Sequence, residues 1–122
     1  MRTQRHSGEV IGVAAILLVA ALPVLGYRFG PIAYCTDCNF IPEASTELLH
    51  GLDTLILDGL RRRPHPTHFN LDQAVEAARQ VGARRTYFTH IAHALKHAET
   101  NLELPESMAL AYDGQVITAR QV

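Results

Sequence analysis

The chain has 122 residues and a mass of 13.5 kDa, room for one compact domain. Hydrophobic residues make up 48% and charged residues 19%, ordinary globular proportions that exclude a disordered, collagen-like or coiled-coil chain. Lys plus Arg number 11 against 12 for Asp plus Glu, a formal charge of -1, so the overall charge gives no reason to expect a nucleic-acid or acidic-lipid partner.

The first feature along the chain is an uninterrupted apolar run, Val10 to Leu25, preceded by Arg2 and Arg5. It reads as one or two buried strands leading into the next. The competing reading is a signal peptide or membrane anchor. A span needs about 20 residues, the run contains Pro23, and no A-x-A cleavage site precedes Tyr27. Tyr27 to Tyr34 then reads as a strand with a turn or bulge at Gly30-Pro31, and Pro42-Glu43 opens a helix that Gly51 caps. Leu52 to Leu57 is a short buried strand, and the two prolines of GLRRRPHPTHFN make the following segment a loop. Asn70 is a good N-cap for an amphipathic helix over Leu71 to Val81, stopped at Gly82. Arg85 to Thr89 reads as a strand, and Ala92 to about Asn101 as a polar helix that ends before Pro105. A closing hairpin of Met108 to Tyr112 with Gln115 to Thr118 turns at Asp113-Gly114. Strands alternating with helices predict an α/β fold.

Seven His in so short a chain direct attention to metal or acid–base chemistry. Strand ends and the loops after them are where α/β proteins hold reactive groups, and three such places carry Asp or His: Asp37, His68 and His90. A lone Asp at a strand end is ordinarily a turn former. Together, a carboxylate and imidazoles at neighbouring strand ends suit a cation such as Zn²⁺ or Mn²⁺. His90, His93 and His97 would share one helix face if a helix began at His90; for His97 a solvated face is the preferred reading. Cys35 and Cys38 lack the second pair of a structural zinc site, and the next helix starts too late to activate Cys35, so packing is preferred over redox work. Arg61, Arg62 and Arg63 form a solvated triplet, with phosphate binding as the alternative.

Three stretches, LPVLGYRFGPIAYCTD, LDTLILDGLRRRPHPTHFNLDQAVEAARQVGARRTYFTHIAH and LPESMALAYDG, together resemble the C-terminal half of a metallo-β-lactamase-fold hydrolase. The branch is that of ribonuclease Z and the cyclic phosphodiesterase of phosphonate breakdown. The motifs are Thr-Asp after a strand, the Pro-Thr-His-Phe loop, and Thr-His-Ile-Ala-His. The resemblance implies the second half of a four-layer αββα sandwich over residues 22–122, with residues 1–21 an unassigned apolar segment. It further implies phosphodiester hydrolysis at a two-ion site of Zn²⁺ or Mn²⁺, acting on a small phosphoester or an RNA 3′ end. Independently of the resemblance, two Cys in a C-x-x-C pair suggest a reducing compartment, with the cytoplasm as the default.

By that resemblance Asp37 corresponds to a metal-bridging carboxylate, His90 to a terminal metal ligand, and His68 to the group that protonates the leaving oxygen. His93 and Asp58 are candidates for substrate contact or for orienting a ligand. The sequence departs from the family in one respect above all: the His-x-His-x-Asp-His motif that binds most of the metal is nowhere in the chain. The chain therefore reads as truncated at its N-terminus, and the resemblance leaves the enzymatic status of the isolated chain open. Half a sandwich should expose one apolar sheet face, suited to a homodimer or to a separate N-terminal half. The reading from another class is a non-catalytic small protein whose N-terminal segment anchors or exports a degenerate domain.

Overall fold

In the computed structural model, which describes residues 13–20, 22–59, 61–63, 65–92 and 95–120, the apolar run folds back on itself as two strands. β1 (Val13–Ala20) and β2 (Leu22–Phe29) pair antiparallel along their whole length, with Leu17 opposite Leu25 and Ala20 opposite Leu22. Gly26 lies where β1 and β3 crowd in: a Cβ there would come within 2.9 Å of the Leu18 side chain and of the Tyr34 carbonyl oxygen. Gly30-Pro31 is a full turn rather than a bulge, and β3 (Ile32–Cys35) returns antiparallel to β2.

From there the pairing changes. β4 (Thr54–Asp58), β5 (Arg85–Thr89) and β6 (Met108–Leu110) add in parallel, completing a six-stranded sheet in chain order. Parallel neighbours need crossovers, here α1 (Glu43–Leu48), α2 (Leu71–Val81) and α3 (His97–Glu103). Because the sheet grows in one direction, right-handed crossovers put all three on the same face. They pack against β1, β4 and β6 respectively. Between helices and sheet lies the core: Ile16, Leu18, Leu55, Leu57, Phe88 and Leu110 from the strands, Leu71, Ala74, Ala78 and Val81 from α2.

α2 begins and ends as expected. The Asn70 side chain accepts from the Gln73 N–H at 2.8 Å while the Gln73 side chain accepts from the Asn70 N–H at 3.0 Å, and Gly82 closes the helix at φ 74°. Other boundaries differ from expectation. The strand predicted from Leu52 starts at Thr54, because the Asp53 and Thr54 N–H groups are both taken by the Pro31 carbonyl. α1 is capped by Leu49, and Gly51 sits two residues beyond it at φ 76°. α3 starts at His97 rather than Ala92, since Lys96 is extended. The closing hairpin does not form: β6 pairs with β5, and residues 111–120 contain no strand. The Tyr112 N–H bonds to the Gln115 side chain instead of to a returning strand.

The opposite sheet face carries Val13, Ala15 and Leu17 of β1, Leu25, Tyr27 and Phe29 of β2 and Tyr34 of β3, aligned across the strands by register. All seven are exposed. The exposed apolar surface expected of half a sandwich is therefore present, on the β1–β3 side of the sheet. No described helix is long and apolar enough to cross a membrane.

Candidate active site

Parallel strands of one sheet point their C-terminal ends the same way, and the chain places its ionisable groups there. β3 ends at Cys35 and β5 at Thr89; shortly after each, Asp37 and His90 turn the backbone into the left-handed region, at φ 60° and 59°. Asp and His tolerate that conformation better than most side chains, at a cost of order 1 kcal/mol or more each. The turns bring the Asp37 Oδ1 and His90 Nδ1 to 3.4 Å.

His68 reaches the same place from the loop between β4 and α2. Its ring centre is 4.6 Å from that of His90, and one ligand atom from each of Asp37, His68 and His90 lies within 4.8 Å of the others. An ion with four ligands at about 2.1 Å holds those ligands roughly 3.4 Å apart, so modest closing of this set would seat one. Two imidazole nitrogens and a carboxylate oxygen are a donor set for Zn²⁺ or Mn²⁺.

Asp58, the last residue of β4, ties the two loops together. Its buried carboxylate accepts the Cys38 N–H at 3.3 Å and the Phe69 N–H at 3.2 Å, next to Asp37 and His68 respectively. The Phe69 N–H also meets the Cys38 carbonyl at 2.9 Å, and the Asn39 side-chain amide donates to the Pro66 carbonyl at 2.8 Å. His68 Nδ1 is buried without a hydrogen bond, 3.6 Å from Asp58 Oδ2. Burial pushes the Asp58 carboxyl above its usual pKa, against the opposing pull of the two N–H donors.

Sequence reasoning assigned no role to His65, although the His-Pro-Thr-His spacing was the signal available. Its ring centre is 4.9 Å from that of His68, and its Nδ1 accepts the Thr67 N–H, which leaves Nε2 as the proton-bearing nitrogen of the neutral ring. Burial, then electrostatic interaction with Arg61, His68 and His90, lowers its pKa. His93 lies outside the described residues. His90 and His97 do not share a helix face, because His90 is in a turn and α3 begins only at His97. His97 instead meets Tyr112 edge to face at 6.2 Å, lining a cleft of about 410 Å³ that opens beside His90.

Cys35 and Cys38 are buried and unpaired. Desolvation, then the neighbouring Asp58, push the Cys35 thiol up to about 12, and the Cys38 thiol is raised too. A thiol so protonated is a poor nucleophile, in keeping with a packing role.

Six strands with helices on one face thus carry a carboxylate and two imidazoles gathered at one end of the sheet. Residues 3–91 match the family model of the Beta-lactamase superfamily domain, and the chain belongs to that superfamily. The match begins ahead of Leu22, taking in the stretch that reads as unassigned in the sequence, and β1 within that stretch is continuous with the sheet. A diphosphatase from the PhnP family is 46% identical in a structural alignment covering 94% of this chain and 46% of the other, with a TM-score of 0.83. Human tRNase Z, short form, aligns at 20% identity over 93% of this chain and 45% of its own, with a TM-score of 0.70. The Bacillus subtilis metallo-β-lactamase fold protein YhfI aligns at 16% identity over 81% of this chain and 46% of its own, with a TM-score of 0.65. These two share the fold. An octanoyltransferase of Porphyromonas gingivalis (strain ATCC BAA-308 / W83) is 35% identical over 95 residues, 76% of this chain and 19% of that protein. The chain thus spans about half the length of the solved structures it matches and about a fifth of that curated relative.

Proposed function

We propose that the chain carries the phosphoester-hydrolysing ends of a metallo-β-lactamase-fold enzyme, acting on a small phosphodiester or diphosphate. The observation that carries this reading is the convergence of Asp37, His68 and His90 within 4.8 Å at one end of the sheet. The likeness to a PhnP-family diphosphatase supports the choice of substrate. An RNA 3′ end is the second substrate reading, suggested by the tRNase Z fold.

Asp37 and His90 are the residues that would hold Zn²⁺ or Mn²⁺, which, when bound, acidifies water toward neutral pH and offsets phosphate charge. His68 is the general acid: its ring lies against His90, and proton delivery to the departing oxygen needs an imidazole within hydrogen-bond reach of it. Asp58 keeps the His68 loop on the Asp37 loop through the Cys38 and Phe69 N–H groups. Asp37 and His90 supply two donors to an ion, and the ligands of the His-x-His-x-Asp-His kind that would complete a two-ion site are not in this sequence. Two unpaired thiols suit a reducing compartment, the cytoplasm.

Elemental analysis of the purified chain and of the Asp37→Ala, His90→Ala double variant tests the reading. About one Zn²⁺ or Mn²⁺ per chain, lost in the double variant, is expected. A metal-free wild type after incubation with either ion overturns it.

A further inference from the structure

The helix-covered face of the sheet satisfies its apolar strands within the chain, and the opposite face does not. On that face Leu17 stands opposite Leu25, Val13 opposite Phe29, and Ala15 opposite Tyr27, which in turn faces Tyr34. The row continues through Ile56, Tyr87 and Ala109, which are half-buried. The Tyr27 and Phe29 rings are 6.5 Å apart, already packed as neighbours.

We propose that this face is an interface with a second copy of the chain: two sheets packed face to face by a two-fold axis, with the helices of each copy on the outside. Charge favours this occupant. β1, β2 and β3 contribute no charged side chain to the face, since Arg28 belongs to the other one, where it donates to the Gly30, Leu48 and His50 carbonyls. By register the charged residues on this side are Arg85, beyond Ile32 and Thr54 at the far margin, and Asp58 at the other end of β4, which is fully buried and accepts the Cys38 and Phe69 N–H groups. A two-fold contact sets each patch against its own image, so a patch without charge meets no like-charge repulsion.

Area and composition agree. Val13, Leu17, Leu25, Tyr27, Phe29 and Tyr34 are 38–58% exposed. At about 200 Å² for each such residue when fully exposed, they offer about 600 Å², before Ala15, Pro23 and the half-buried Ile56 and Tyr87 are added. A standard interface buries roughly 800 Å² per partner, with aromatic residues enriched and Lys and Glu depleted at its centre. Sheets packed face to face about 10 Å apart with their outer faces covered by helices form a stable layered arrangement. The pairing goes beyond the proposed reaction and does not depend on it.

Light scattering on the full chain at micromolar concentration should give twice the 13.5 kDa chain mass. Leu17→Glu and Leu17→Lys should each run as a folded monomer, judged by unchanged circular dichroism, and an equimolar mixture of the two should recover the dimer. Leu102→Glu, on α3 at the other face, should leave the dimer intact. If the Leu17 variants do not fold, Tyr34→Glu and Tyr34→Lys take their place. A monomeric wild type overturns the proposal, as does a dimer insensitive to all four charged variants. Open-ended aggregates unaffected by them would do so too, since they would point to strand-to-strand pairing rather than to packing of this face.

Discussion

The two halves of the sheet divide the work. β3 to β6 are joined by parallel pairing, and their C-terminal ends and the chain just past them carry Asp37, Asp58 and His90. β1 and β2 form one antiparallel hairpin whose sixteen residues include a single charged side chain, Arg28, spent on backbone carbonyls. The difference follows from connectivity. Parallel neighbours require crossovers, and the crossovers supply both a helical cover and loops at one end where polar groups can meet. A hairpin needs no crossover, so β1 and β2 add breadth to the sheet and an open face, and no chemistry.

That division predicts different costs for comparable changes. Phe88, fully buried in β5 beneath the helices, should be the most expensive: Phe88→Ala is expected to cost about 3–5 kcal/mol in chemical denaturation. A loss under about 1 kcal/mol would mean that the helical layer is not packed as described. Next comes the ion pair between buried Asp53 and partly exposed Arg84 at the opposite end of β4. Burial raises the Asp53 pKa, but bonds from Arg84 at 2.6 Å and from Thr54 at 2.9 Å bring it, on balance, below the usual value of 3.8. A carboxylate with a depressed folded pKa contributes stability above the unfolded pKa, lost as pH falls through the folded one. Asp53→Asn should therefore cost about 1–2 kcal/mol at neutral pH, discounted because Arg84 is 38% exposed, and should blunt the acid limb below pH 3.8. An unchanged acid limb would remove Asp53 as its source. The smallest effect belongs to the hairpin. Leu25→Ser, on the open face, should change folding by less than about 0.5 kcal/mol when measured dilute enough to suppress association, and a larger loss would show that the face is covered within one chain.

Much of this was legible in the sequence for identifiable reasons. α2 could be read to the residue because Asn70, Gln73 and Gly82 carry their own start and stop signals. Asp37, His68 and His90 could be picked out because strand ends and their following loops are where polar residues have a purpose, and the structure gathers them. What failed was decided by partners distant in sequence. Asp113-Gly114 carries a hairpin signal, yet β6 pairs with β5, and no local pattern records that choice. The start of α3 depended on the extended backbone of Lys96, and the role of Asp58 on two N–H groups from separate loops, 20 residues before it and 11 after. The open face was foreseeable only through the family resemblance, since alternation in β1 and β2 is hidden when both faces are apolar.

One backbone detail has an evolutionary consequence. Asp37 and His90 both occupy a conformation that glycine adopts freely and that charges other residues a penalty. Folding alone therefore favours erasing these two side chains. A library of variants sorted by abundance would drift toward glycine at positions 37 and 90, while one sorted by metal retention would hold the carboxylate and the imidazole in place. The divergence between the two selections would mark, at single-residue resolution, where this chain gives up stability for chemistry.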